Sequence, residues 1–558
     1  MWSGVAPAPH VTVTPVRSAC DRQFTHRQQC IAVASLTVGE LQQSHETVLQ
    51  RAHAVATVSG AAARTRRQEV TDPLSGRRGG AVSAWVWVLV ALVWVSLLAR
   101  ILPETDSDRG IFVSVAARLV AGDRLYTEVW DNKEPFFYYV TVPGRIVSPL
   151  IDVLIELAWL IVAAVSVYRL VTRDSDRRAA VLIAFVLTPI VLTGHNYYPG
   201  FTELPGVVVS LAVLSCLRCS RPLAAGALAG ILLFLKVVMF PVAIVLAVWV
   251  LLLRRDVRGL ARFAVGVLAS SAVAVLVLLV RGELGPYLHS LRVNVAYAQG
   301  PLAQTELPLV GHLIRVFDKR TILEVIVTVA IVLAIVVSAH RRESDLTPSK
   351  KELLWLTALS LSGYMLVLAV TGLWSHHALT LHVPAILSAA LLAPLLAGAL
   401  ERAHSRLQTI GLVGLLAVLV LLLAGVQVPL AVLNSWREAP DVLALDLRTP
   451  PEAQRLMTLG TTGSYARLGQ SDDQGHAAGV PEWHLSCPRF AQYPFDSKPI
   501  LDDVLHCAAT SPVLLISPSL TPEEGLPEWN QFVADAQSLI NTRYHCSSAD
   551  RIRVCTRR

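Results

Sequence analysis

The chain has 558 residues, 53% of them hydrophobic and 16% charged, with a formal net charge of +7 and a mean hydropathy of +0.52. A soluble protein carries about 25% charged residues, so this composition excludes an ordinary soluble globule and points to a chain solvated largely by bilayer. Nor does the positive balance point to nucleic acid. Arg and Lys cluster in short segments between long apolar runs, which is what membrane topogenesis requires and a nucleic-acid groove would not show.

Residues 1–80 are rich in Ala, Thr, Gln, Ser and Arg, lack a sustained apolar period and end in Arg77-Arg78-Gly79-Gly80. They are expected to form a disordered cytoplasmic tail. The other reading is sequence ahead of the true start of translation, since no signal-peptide apolar core opens the chain. Residues 81–434 then carry the apolar runs, each near the roughly 17–25 residues a span needs. They are Ala81–Leu102, Leu150–Val171, Ala179–Gly194, Leu204–Leu217, Phe263–Val280, Ile322–Ala339, Leu353–Thr371, Ala378–Leu400 and Thr409–Leu433. Leu223–Leu253 is long for one span and short for two. Lys236 and Pro241 interrupt it, which predicts two short helices meeting near Lys236, the alternative being one tilted helix with a snorkelling lysine.

The count is about eleven spans, and the charges check it. With the Arg64, Arg66, Arg67, Arg77 and Arg78 cluster inside, alternation places Arg173/Arg177/Arg178, Arg218/Arg221 and Arg254/Arg255/Arg258/Arg262 inside too. Arg341/Arg342/Lys350/Lys351 and Arg402/Arg406 follow. The odd count puts residues 435–558 outside the cytoplasm, where the membrane pattern ends and a small α/β soluble domain is expected. Pro512–Ser517 reads as a buried strand, Glu528–Thr542 as an amphipathic helix and Arg551–Cys555 as a closing strand. Cys487, Cys507, Cys546 and Cys555 lie in this domain and suggest two disulfides with three possible pairings.

The same alternation gathers chemistry-bearing residues on the external side. The first external loop holds Asp106-Ser107-Asp108-Arg109-Gly110, an amphipathic stretch to Gly122-Asp123, Leu125-Tyr126, and then Trp130-Asp131-Asn132-Lys133-Glu134-Pro135-Phe136-Phe137-Tyr138-Tyr139. Carboxylates at i and i+2 after a membrane helix can share general-base work or bind a divalent metal such as Mg or Mn. The plain structural reading is a helix cap by Asp108. Glu203 stands at the mouth of a span, where a carboxylate is costly unless paired or functional. Lys236 puts a cation at the end of a short helix. His376 and His377, with His382 beyond them, place imidazoles that can donate to a phosphate or move protons. Interfacial anchoring accounts for each alone; together they suit an anionic, lipid-linked substrate.

Asp108-Arg-Gly-Ile-Phe, Gly122-Asp-Arg-Leu-Tyr126 and Trp130-Asp-Asn-Lys-Glu-Pro135-Phe-Phe-Tyr resemble the first external loop of the GT-C glycosyltransferases. The likeness is to the family 39 type, with its protein mannosyltransferases and aminoarabinose transferases. Glu134 departs from that pattern by replacing the first proline. Thr202-Glu203, Leu235-Lys236 and His376-His377 through Pro384 extend the likeness over roughly residues 80–435. The resemblance implies an all-α polytopic membrane domain that uses a polyprenyl-phosphate sugar donor, a lipid, glycan or protein acceptor, and inversion at the sugar. It implies Asp108 or Asp106 as base, the other orienting it or binding metal, with Glu203 assisting. Lys133, Tyr138, Lys236, His376 and His377 would bind substrate. A flippase for a lipid-linked intermediate is the alternative; charges mid-helix and inverted repeats would favour it, and neither is visible here. A non-catalytic scaffold is disfavoured by the acidic, aromatic first loop.

The topology has a direct test. A periplasmic-type reporter fused after residue 470 is expected to be active, and labelling there from the cytoplasm only would overturn the shared-face reading.

Overall fold

The computed structural model describes residues 84–101, 108–148, 150–173, 175–194, 200, 202–305, 317, 319–341, 347–371, 375–402, 456, 458–460, 463–469, 483–489, 492, 494, 496–547 and 553–558. The tail 1–80, Asp106, His195 and the run Thr409–Leu433 lie outside the described residues, as do the side chains of Asp108 and His376.

The helical part runs α1 Ala84–Ile101, α2 Asp108–Val120, α3 Pro135–Ile146 and α4 Leu150–Val171. Helix α5, Arg177–Gly194, is π-helical over Ile183–Leu187. There follow α6 Glu203–Arg218, α7 Pro222–Leu235, α8 Phe240–Leu253, α9 Val257–Val280, α10 Leu284–Thr305, α11 Lys319–Arg341, α12 Pro348–Thr371 and α13 His382–Arg402. Helices Leu150–Val171, Arg177–Gly194, Val257–Val280, Pro348–Ala369 and His377–Pro394 are long and apolar enough to cross a membrane, and shorter apolar helices accompany them. The interruption expected at Lys236 is present: α7 ends at Leu235, a 3₁₀ turn covers Val237–Met239, and α8 begins at Phe240.

Within the bilayer, burial of apolar surface does not hold helices together, so close backbone approach must. Helices α7 and α9 meet through small residues. A Cβ on Gly226 would lie 2.0 Å from the Phe263 carbonyl oxygen, and one on Gly266 would lie 2.2 Å from that of Leu223. On the outer faces Leu268, Leu276 and Val280 stay exposed, as lipid-facing residues do.

The two ends of this bundle differ in chemistry. At one end Arg254 grips Glu352 through Nε at 2.9 Å and Nη2 at 2.7 Å. There Arg173 donates to the Arg218 carbonyl at 2.8 Å, and Arg218 itself reaches Ser349. Three basic segments separated in sequence therefore share one end, as the charge alternation expects. Glu203 and Lys236 sit at the opposite ends of α6 and α7, about 20 Å away by helix length.

Residues beyond 456 build a five-stranded sheet with order β2–β1–β3–β5–β4. Its elements are β1 Gly463–Leu468, β2 Trp483–Leu485, α14 Lys498–Ala508, β3 Val513–Ile516, α15 Pro527–Arg543, β4 Tyr544–Ser547 and β5 Arg553–Arg557. Strand β1 runs parallel to β2 and β3, while β5 is antiparallel to β3 and β4. Alternate β3 residues serve opposite faces, as strand geometry requires. Leu514 and Ile516 pack with Trp529 and Phe532 of α15, whereas Val513 and Leu515 pack with Trp483, Tyr465 and Val554. The strand, helix and closing strand expected from the sequence are all there.

Cys487 bonds to Cys507, with Cα atoms 5.7 Å apart, and Cys546 to its cross-strand partner Cys555, with Cα atoms 3.9 Å apart. Each bridge is expected to stabilise the domain by about 2–4 kcal/mol. Non-reducing peptide mapping should recover these two linked pairs, and crossed pairs or four freely alkylated thiols would contradict the fold of this domain.

Candidate functional site

The first loop is held as a strap rather than left as a free connection. Helix α2 buries Ile111, Phe112 and Val115, and Phe112 meets Phe137 of α3 edge-on at 4.5 Å. The chain turns at Gly122, φ +103°, and again at Tyr126, whose φ of 63° is rarely adopted by a non-glycine residue. The Tyr126 amide donates to the Val129 carbonyl at 2.7 Å, and its hydroxyl donates to the Lys133 carbonyl at 2.6 Å. Burial pushes the Tyr126 phenol well above its usual range, helped by Tyr287 and Glu134 nearby, so it remains a donor.

The strap Trp130–Glu134 is tied at each of its last four residues. The Tyr138 hydroxyl donates to Asp131 Oδ2 at 2.5 Å and accepts from the Lys133 amide at 3.2 Å. Asn294 of α10 donates to the Asn132 carbonyl at 2.6 Å. Glu134, itself buried, accepts the Val237 amide at 2.8 Å. That last bond joins the strap to the helix break, one residue beyond Lys236.

At the break, Lys236 Nζ donates to Glu203 Oε1 at 2.5 Å and to Thr202 Oγ1 at 2.8 Å. His377 Nε2 lies 3.9 Å from Glu203 Oε1. Both Glu203 and Lys236 are buried, at 1% and 7% exposure. A lysine has three donors, and the geometry aims two of them at these oxygens. Gly206, one turn along α6, makes the approach possible: a Cβ there would lie 2.4 Å from the Met239 sulfur. The result is a cation and a carboxylate side by side at the mouth of the bundle, a suitable device for receiving an anionic group.

Of the residues expected from sequence, the structure brings together Glu203, Lys236 and His377, and adds Thr202 to them. Lys133 sits on the adjoining strap. Tyr138, expected at the substrate, is fully buried, with its hydroxyl engaged by Asp131 and the Lys133 amide, where it orders the strap. His382 faces Glu324 of α11 at 3.5 Å. Asp108 begins α2, and no side-chain geometry is described for it or for Asp106 and His376. Among the described residues no three His, Cys, Asp or Glu side chains converge as metal ligands, and the metal expected at Asp106 and Asp108 falls outside them.

Glu283 was missed. Completely buried at the α9–α10 turn, it accepts the Leu125 amide at 3.1 Å, the Tyr139 hydroxyl and the Arg281 side chain at 2.9 Å. Its sequence signal was the same as that of Glu203, a carboxylate at the mouth of a span.

Residues 134–371 match the model of glycosyltransferase family 87. The site-bearing helices resemble a glycosyltransferase. The match opens at Glu134 and includes Glu203, Lys236 and Glu283, though it covers less than half of the chain. A helical membrane domain bearing this likeness, with a small sheet domain behind it, fits the GT-C membrane glycosyltransferases expected from the first loop; the matching model is family 87 rather than family 39. No curated protein matches the chain significantly.

Among solved structures, ArnT from Cupriavidus metallidurans bound to undecaprenyl phosphate aligns at 14% identity and TM-score 0.49, over 85% of this chain and 98% of that one. The mycobacterial arabinofuranosyltransferase AftD aligns at 14% and 0.43, over 86% and 40%. The archaeal oligosaccharyltransferase AglB from Archaeoglobus fulgidus, in complex with an inhibitory peptide and a dolichol-phosphate, aligns at 12% and 0.48, over 85% and 74%. At these identities and TM-scores the likenesses carry no weight for function.

The ion pair yields a stability test. Removing one partner of a buried pair typically costs about 3–5 kcal/mol, because the remaining charge is stranded, whereas replacing both is often nearly neutral. Glu203→Gln and Lys236→Met are therefore each expected to lower the melting temperature in detergent clearly. The double variant should regain most of the loss. Single variants that melt like the parent would show that the pair does not form.

Proposed function

We propose that this protein transfers a sugar from a polyprenyl-phosphate donor to a lipid, glycan or protein acceptor of the cell envelope, on the extracytoplasmic face of the membrane. The observation that carries the reading is the convergence of Lys236, Glu203 and His377 beside the strap bearing Lys133, within and at the edge of the stretch similar to family 87.

In the proposed step the acceptor oxygen attacks the anomeric carbon as the bond from that carbon to the phosphate oxygen breaks. The electron pair of that bond passes to the phosphate, which leaves as polyprenyl phosphate. Lys236, with His377 and Lys133, neutralises the charge that grows there. The acceptor hydroxyl gives its proton to Asp108 or Asp106. Attack opposite the leaving phosphate inverts the sugar. Glu203 holds Lys236 in place before donor arrives, and the bilayer supplies the donor's polyprenyl chain with a solvent.

The assay is incubation of purified protein with a panel of polyprenyl-phosphate sugars, scored by release of polyprenyl phosphate. Loss of a positioned base typically costs about 10²–10⁴ in rate, while Asn is itself a good helix cap. One of Asp108→Asn and Asp106→Asn is thus expected to fall by that factor while still eluting as folded protein. Near-parental turnover in both would reduce the acidic pair to a cap and remove the base from the reaction.

A further inference from the structure

We infer that Arg489 of the C-terminal domain is a positioning residue for the strap Trp130–Glu134, an inference that rests on the donor-binding role proposed for that strap. The two segments run side by side although they are far apart in sequence. The Trp130 amide donates to the Pro488 carbonyl at 2.7 Å, and Trp130 pairs with Arg489 in a parallel bridge. The Arg489 guanidinium stacks on the Trp130 ring, 3.4 Å from its centre. A second tie lies nearby: Arg118 of α2, itself buried, donates to the Trp483 carbonyl at 2.9 Å.

Arg489 is held firmly enough to act as a template. Two residues earlier, buried Cys487 is bonded to Cys507 on α14. Gln492 Nε2 donates to the Arg489 carbonyl at 3.1 Å, while Gln492 Oε1 accepts the Gly469 amide at the end of β1 at 2.8 Å. Sheet and disulfide therefore fix the arginine, and the arginine fixes Trp130. From Trp130 the order passes along the strap by bonds already named: Asp131 to Tyr138, Lys133 to Tyr126 and Tyr138, and Glu134 to Val237 beside Lys236. A soluble domain with no group of its own in the proposed transfer step thus sets the geometry of the loop that has one.

An exposed cation–π contact is weak and a desolvated one is stronger; this one is packed between two elements. When such a clip is lost, the strap opens more often, and amide exchange in it tracks the open population. The test is hydrogen–deuterium exchange of the full-length protein in detergent, parent against Arg489→Ala and Arg489→Lys. Peptides covering 120–134 are expected to exchange roughly ten-fold faster in the alanine variant. Those covering 205–215 should not change, and lysine, which keeps a cation over the ring but loses the planar stack, should restore part of the protection. In the transfer assay the same opening is expected to raise the apparent donor KM in proportion to the lost ordered fraction and to leave kcat near the parent.

Unchanged exchange at 120–134 in a folded Arg489→Ala protein would overturn the proposal. So would a loss confined to kcat. Should the alanine variant fail to fold, Trp130→Leu removes the other half of the same contact and carries the same expectation and the same overturning result. Failure of the sugar-transfer reading is seen separately, as a parent protein that releases no polyprenyl phosphate while its exchange pattern still responds to Arg489.

Discussion

A lysine placed inside thirty apolar residues sets a problem that the surrounding chain has to solve. An ammonium at a bilayer-facing helix is costly unless it reaches water or a partner. Here the backbone breaks at Lys236, so that its side chain meets Glu203 and Thr202 at the top of α6. Several other features follow from that break. Gly206 must lack a side chain to admit Met239. The unpaired Val237 amide must find an acceptor, and Glu134 supplies it. Helices α7 and α8 become two half-spans, which brings Arg254 back to the end where Arg173 and Arg218 meet.

The first loop depends on the same junction. A loop of more than thirty residues carries a large conformational entropy, and ordering it requires many contacts. They come from Tyr126 of the loop itself, Tyr138 of α3, the Val237 amide at the break, Asn294 of α10, Glu283 of the α9–α10 turn, and the segment beside the C-terminal sheet. Glu283 is the most economical of these. One buried carboxylate takes an amide from the loop, a hydroxyl from α3 and a guanidinium from its own turn, so its charge is balanced and its oxygens are satisfied.

The C-terminal domain is organised around its own core, with Trp529, Phe532 and the β3 strand at its centre and one cysteine of each disulfide, Cys487 and Cys555, buried in it. Its second sheet face is also apolar. Leu485 belongs there and touches the membrane domain's core as well. The domain is therefore seated on the membrane part by both packing and hydrogen bonds, and the strap is where they meet.

Much of this was legible in the chain itself. Apolar run length and basic spacing specify membrane helices and which loops share an end, because hydrocarbon thickness and charge placement act locally on sequence. The break at Lys236, the acid at Glu203 and the strand–helix–strand order of the C-terminal domain carry local signals of the same kind. What only the tertiary structure decided is who meets whom. Nothing in the order of the loop pairs Tyr138 with Asp131 until burial brings the hydroxyl onto that carboxylate. Glu134 looks like a departure from a motif until it is found on the Val237 amide, about a hundred residues away. Disulfide pairing was open among three arrangements until β4 and β5 placed Cys546 opposite Cys555. The reason is common to all three: a residue's type states what it can bond to, but the partner is chosen by the packing of elements whose separation in sequence carries no information about their distance in space.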